Sequence, residues 1–119
     1  MQIQVNTDDN VSGGVTLVNH VEEVVRRILG RFSDQVTRVE VHLSDINGPK
    51  PGENDKRCLM EARLAGRQPT AVSDLANSHH QAIDGAAHKL RRALGTVLGK
   101  DVDRRRDIPG DLGEADEAE

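Results

Sequence analysis

The sequence predicts an α+β domain of element order βαβββα, in which a four-stranded sheet carries two helices on one face. Three patterns predict it. Val39, Val41 and Leu43, and again Cys58, Met60, Ala62 and Leu64, alternate with other residues at the period of two that marks half-buried strands. Leu17, Val21, Val24, Ile28 and Phe32 recur at four-three-four-four spacing, which is one face of a helix. Ile83, Ala87, Leu90, Leu94 and Val97 fall within roughly 40° of Ile83 on a wheel turning about 100° per residue. A sheet with one apolar face and two amphipathic helices to cover it makes a two-layer domain.

The elements follow in order along the chain. Met1, Ile3 and Val5 alternate with Gln2, Gln4 and Asn6 as a first strand. Gly13 and Gly14 break the pattern, and Thr16 is placed to cap the first helix. The second strand runs through Val39 to Leu43. Asn47-Gly48-Pro49-Lys50-Pro51-Gly52 suits neither ladder nor helix and reads as a loop. The third strand sets Cys58, Met60, Ala62 and Leu64 on one face and Arg57, Glu61 and Arg63 on the other. Gly66-Arg67-Gln68-Pro69 turns it into a short fourth strand around Thr70 to Leu75, after which Asn77 or Ser78 caps the last helix. Ile83, Leu90 and Leu94 are expected to pack on Val39, Val41, Met60 and Ala62.

Composition narrows the chemistry. A chain of 119 residues supports one domain, and with Phe32 as its only aromatic the core must be aliphatic. Base-stacking platforms are thereby excluded, so any nucleic acid is held by charge and shape. Cys58 is the only cysteine, and the N-terminus offers no apolar signal segment, which points to a reducing cytoplasm. No apolar run is long enough for a membrane span. The net charge of −4 is unevenly distributed: residues 101–119 carry −5, and residues 1–100 carry 13 basic against 12 acidic side chains. The domain is therefore expected over 1–100, with an acidic tail over 101–119 that is disordered from Asp107 onward.

Candidate binding residues are basic. On the last helix Arg92 points away from the apolar stripe, with His88 to one side and Lys89 and Lys100 to the other. Four residues upstream of Lys89, Arg91 and Arg92 stand Gly85, Ala87 and His88, so the helix supplies no acid to neutralise them. Such a face looks outward for an anion. Arg38, Arg57 and Arg63 lie on the uncovered sheet face beside Glu40 and Glu61, where cross-strand pairing and phosphate contact are equally open. Arg26 and Arg27 follow Glu22 and Glu23 by four residues, the orientation of surface ion pairs.

Other chemistries find little support. His80, Asp84 and His88 share a helix face but span about 12 Å, too far for one metal ion. Cys58 alternates in phase with Met60 and Leu64 and reads as core rather than nucleophile. No G-x-S-x-G, Walker A, G-x-G-x-x-G or H-E-x-x-H pattern occurs, so no catalytic constellation and no cofactor is expected.

Met1-Gln2-Ile3-Gln4-Val5, Val39-Glu40-Val41-His42-Leu43, Glu61-Ala62-Arg63-Leu64 and above all Ala82-Ile83-Asp84 followed by Lys89-Leu90 and Arg92-Ala93-Leu94 resemble the ribosome hibernation-promoting factor and protein Y family over about residues 1–100. The resemblance implies a fold similar to double-stranded RNA-binding domains. It also implies a stress protein on the small ribosomal subunit and its 16S rRNA, where it would occupy the decoding channel, block transfer and messenger RNA, and so inhibit translation. Rna-binding residues are then expected at Lys89, Arg91, Arg92 and Lys100 of the last helix and at Arg38, Arg57 and Arg63 of the sheet. No membrane, metal or small-molecule substrate is expected, and the free protein is expected to be a monomer. The 19 residues after Lys100 cannot form the second domain of long members, so the chain reads as a short form, with an acidic tail similar to that of protein Y. It departs from the family in a last helix poorer in lysine and in His80 where an aromatic is common. The alternative reading is a regulatory protein-interaction module, similar to a sigma-factor modulator, whose acidic tail or open sheet face meets a basic protein.

Overall fold

The computed structural model describes residues 1–8, 11, 13–47 and 54–106, the last eight of these as backbone only. The elements are β1 (Gln2–Thr7), α1 (Gly14–Leu29), a 3₁₀ turn (Gly30–Phe32), β2 (Val36–Asp45), β3 (Lys56–Leu64), β4 (Thr70–Ala76) and α2 (His79–Arg106). They form the expected α+β fold in the expected order. The strands lie in the order β1-β2-β3-β4, with β1 parallel to β2 and the other pairs antiparallel. A parallel neighbour needs a crossover, and α1 supplies it. The loop expected from Asn47 lies beyond that residue outside the described residues, as does the acidic segment from Asp107.

Alternation decides which sheet face is covered. Val39, Val41 and Leu43 of β2 stand opposite Ala62, Met60 and Cys58 of β3, and all six are fully buried. Above them lie Leu17, Val21, Val24, Val25 and Ile28 of α1 and Ile83, Ala87, Leu90 and Leu94 of α2. Ile83, Leu90 and Leu94 share one buried core with Val39, Val41, Met60 and Ala62, and α2 lies chiefly over β3 and β4. At the far end the buried stripe passes through Leu98 and leaves Val97 only partly covered, because steps of four drift around the helix.

Local details differ from the sequence expectation at three points. Gly13, in the left-handed region at φ 87°, precedes the first helix, and the Leu17 amide donates to its carbonyl at 2.9 Å, so Thr16 sits inside the first turn and caps nothing. Phe32 is not on α1 but in the tighter 3₁₀ turn after it, which keeps its ring buried. α2 continues to Arg106, six residues past the expected boundary at Lys100. Its start agrees with expectation: Ser78 Oγ accepts the Gln81 amide at 3.1 Å. Asn77 instead accepts the Asn54 amide at 2.7 Å.

Among the described residues one charged residue, Asp55, is buried. The Asp55 carboxylate, beside the end of the β2–β3 hairpin, takes Lys56 Nζ at 2.8 Å, and the same ammonium reaches Asp45 at 3.2 Å. The Lys56 hydrogen bond holds the Asp55 carboxyl below its ordinary range, and burial opposes it. A carboxyl depressed in the folded state stabilises at neutral pH and loses that contribution as pH falls through its folded value. Acid titration from about pH 5 to about pH 2 should therefore destabilise the native chain more steeply than the Asp55→Asn variant, as read from thermal melts.

A second constraint sits under α2. A Cβ on Gly85 would overlap the Asp74 carboxylate, 2.8 Å from its Cγ, whereas Gly95 has open space around it. Gly95→Ala should stabilise by about 0.5–1 kcal/mol in urea melts through helix propensity. Gly85→Ala should lose that gain or reverse it, and the double variant with Asp74→Ala should recover it.

Candidate nucleic-acid interface

The basic residues divide into paired and free sets. On the open sheet face Glu40 stands opposite Glu61, and Arg38 opposite Arg63. Arg38 binds Glu40, and Arg63 lies 3.5 Å from Glu40 and 3.6 Å from Glu61. The diagonal pairing gives both arginines acid partners, the cross-strand arrangement that the sequence allowed. Arg57, opposite Ser44 and Leu75, is exposed and has no ion pair among the described residues.

Lys89 is paired across to β4. Its ammonium lies 2.9 Å from Asp74 and donates to the Ser73 carbonyl at 3.0 Å. The helix supplies no acid, as the spacing says, but β4 does, and a reading confined to one helix misses it. Arg92 remains exposed and has no ion pair among the described residues. The Lys100 side chain lies outside the described residues.

The structure brings Arg91 together with residues of α1. Arg27, Ile28 and Arg31 face His88 and Arg91 across a cleft of about 330 Å³ between the helices. No acid pairs with these three arginines among the described residues, and the expected pairs of Arg26 with Glu22 and Arg27 with Glu23 do not form. Arg31 is steadied by the Phe32 ring, whose centroid lies 5.0 Å from its guanidinium carbon. Three fixed guanidinium charges at one opening suit phosphate oxygens, which arginine can engage through two parallel N–H groups. Part of the signal for Arg27 and Arg31 was in the sequence: they stand seven and eleven residues after His20, Arg27 on α1 and Arg31 in the 3₁₀ turn that follows it, although nothing in that spacing points to α2.

His20 carries the seam between the helices toward the start of α2. Its Nε2 lies 2.9 Å from Asp84, and its ring centroid 4.5 Å from that of His80. The pairings of His20 with Asp84 and of Arg27 and Arg31 with Arg91 show that the helices run in the same direction along the seam. No group of three or more metal-ligating residues is assembled among the described residues. Cys58 is buried in the core, and burial followed by the nearby Asp74 charge pushes its thiol up to about 12. Among the described residues no helix is long and apolar enough to cross a membrane.

Residues 3–101 match the family model described as Sigma 54 modulation protein / S30EA ribosomal protein. The chain belongs to this family. The match runs from β1 into α2 and so includes the whole seam. Among solved structures of the same fold, the Protein Y N-terminal domain of Thermus thermophilus superposes with a TM-score of 0.65 at 22% identity, covering 82% of this chain and 99% of that one. A ribosomal subunit interface protein from Coxiella burnetii gives 0.68 at 17% identity, covering 83% and 99%. No curated protein matches the chain.

The pairing of Lys89 makes it partly structural for this S30EA-family domain. Lys89→Ala should lower stability by up to about 1 kcal/mol in urea melts, and Arg92→Ala should change it by less than about 0.5 kcal/mol.

Proposed function

We propose that this domain is a ribosome-associated factor of the hibernation type, which binds the small subunit and inhibits translation. Its contact with 16S rRNA is made by the α1–α2 seam, through Arg27, Arg31 and Arg91, with Arg92 alongside. The observation that carries the reading is the gathering at one cleft of three arginines that have no acid partner among the described residues, while Arg38, Arg63 and Lys89 have internal pairs. The one residue among Phe, Tyr and Trp, Phe32, is buried and offers no stacking platform, so recognition rests chiefly on the phosphate backbone. The names carried by the family and by its structural relatives, S30EA ribosomal protein and ribosomal subunit interface protein, support the ribosome as partner. Seated in the decoding channel, the domain would exclude transfer and messenger RNA. The acidic residues from Asp107 onward carry charge that rRNA repels, and they act as a separable modulator rather than as part of the interface.

The family description also carries the sigma-54 name, which favours a second reading as a regulator of a protein partner. The charge of the seam separates the two. An RNA contact gives affinity that falls steeply with salt, and each phosphate contact removed lowers the magnitude of the slope by roughly 0.7–0.9. Sedimentation with 30S, 50S and 70S particles should place the protein on 30S. Arg27→Ala with Arg91→Ala should weaken that association and flatten its salt dependence, whereas Arg38→Ala with Arg63→Ala should leave the slope nearly unchanged. Unaltered 30S binding by a folded Arg27/Arg91 variant would remove the seam as the site.

A further inference from the structure

We propose that the seam takes up a proton at His88 when it binds phosphate, so that the domain holds rRNA more tightly under acidic conditions than at neutral pH. This rests on the reading of the seam as the rRNA contact and adds a mode of regulation to it. His88 is exposed, and it lines the cleft with Arg27, Ile28, Arg31 and Arg91. The guanidiniums keep their charge at every working pH, whereas an imidazole changes charge between about pH 5 and pH 8. His88 is thus the one lining group able to change the charge of the cleft in that range.

The surroundings decide whether a protonated ring would face an acid of the protein or the ligand. On α2, Asp84 stands one turn before His88, but its Oδ1 is engaged by Nε2 of His20 at 2.9 Å. Arg91 and Arg92 stand one turn after it. Arg27 of α1 and Arg31 of the 3₁₀ turn face the cleft, and Glu23, one turn before Arg27, makes no ion pair with it. On the sheet side of α2, the charged pair is Asp74 with Lys89, already closed at 2.9 Å. No acid within the described residues forms an ion pair with His88. A phosphate in the cleft therefore brings negative charge to the ring and favours its protonated form relative to the empty cleft. Linkage is reciprocal, so protonation favours the phosphate by the same factor.

The seam holds two other imidazoles, His20 and His80, and the test must separate them from His88. Affinity for purified 30S subunits is measured at about pH 6.0 and pH 7.5, at fixed salt and magnesium, for the native chain and for His88→Gln, His20→Asn and the Arg27→Ala/Arg91→Ala variant. The native chain should bind about three- to tenfold more tightly at the lower pH. In His88→Gln the ratio between the two affinities should fall to about one, and in His20→Asn it should persist. A native ratio of one, or an acid gain that survives His88→Gln, overturns the proposal. Binding by the arginine variant as tight as that of the native chain at both pH values defeats the reading of the seam itself, a separate result. Inorganic tripolyphosphate supplies the same test without a ribosome: by NMR, the carbon-bound ring protons of His88 should titrate at higher pH with the probe present. A His88 titration unchanged by saturating tripolyphosphate overturns the proposal as well.

Discussion

The setting of α2 on the sheet depends on the meeting of Asp74 with Gly85. The carboxylate occupies the space where any other residue at position 85 would place its Cβ, so glycine there lets β4 and the helix come close. With that contact made, Lys89 one turn later comes over the edge strand and closes on the same carboxylate. Ile83, Leu90 and Leu94 then face the sheet, and Arg91 and His88 fall on the flank turned toward α1. Rotating the helix by one residue, about 100°, would draw a charged side chain toward the core. The rotation that buries the stripe is the one that builds the cleft.

The two faces of the domain treat the same residue type in opposite ways. On the sheet, Arg38 and Arg63 alternate with Glu40 and Glu61, and strand register places each guanidinium within reach of an acid. Along the helix seam, Arg27, Arg31 and Arg91 come from α1, the 3₁₀ turn and α2, and among the described residues no acid pairs with them: Asp84 is taken by His20, and Glu22 and Glu23 make no ion pair with the arginines of their own helix. A near-neutral domain thus shows a neutralised surface on one side and a concentrated positive opening on the other. Net charge alone, negative for the whole chain, gives no hint of it.

The fold was legible in the sequence because its main signals are periodic. The alternation through Val39–Leu43 and Cys58–Leu64 identified the covered sheet face, and the spacing of Leu17, Val21, Val24 and Ile28 identified that of α1. Boundaries were less legible. Thr16 has a capping side chain, but Gly13 turns the chain in the left-handed region and starts the helix first. The site was readable only in part, since a wheel shows what a helix offers and not what a neighbour presents to it. Arg91 and Arg92 kept their expected freedom, whereas Lys89 lost it to an acid on β4. Arg27 and Arg31 escaped notice because a plausible local partner, Glu23, explained the first of them, and no pattern within α1 points across to α2.

Because the cleft has walls from segments so distant in the chain, as far apart as the 64 positions between His20 and Asp84, it exists only while the chain is folded. Whatever fills it binds the native state alone and raises stability by mass action. On the proposed function, a ribosome that captures the domain would also shelter it from unfolding and from the proteases that act on opened chains. The lifetime of the protein in a cell is then set by the number of docking places on offer, and molecules in excess of them are the first to be cleared.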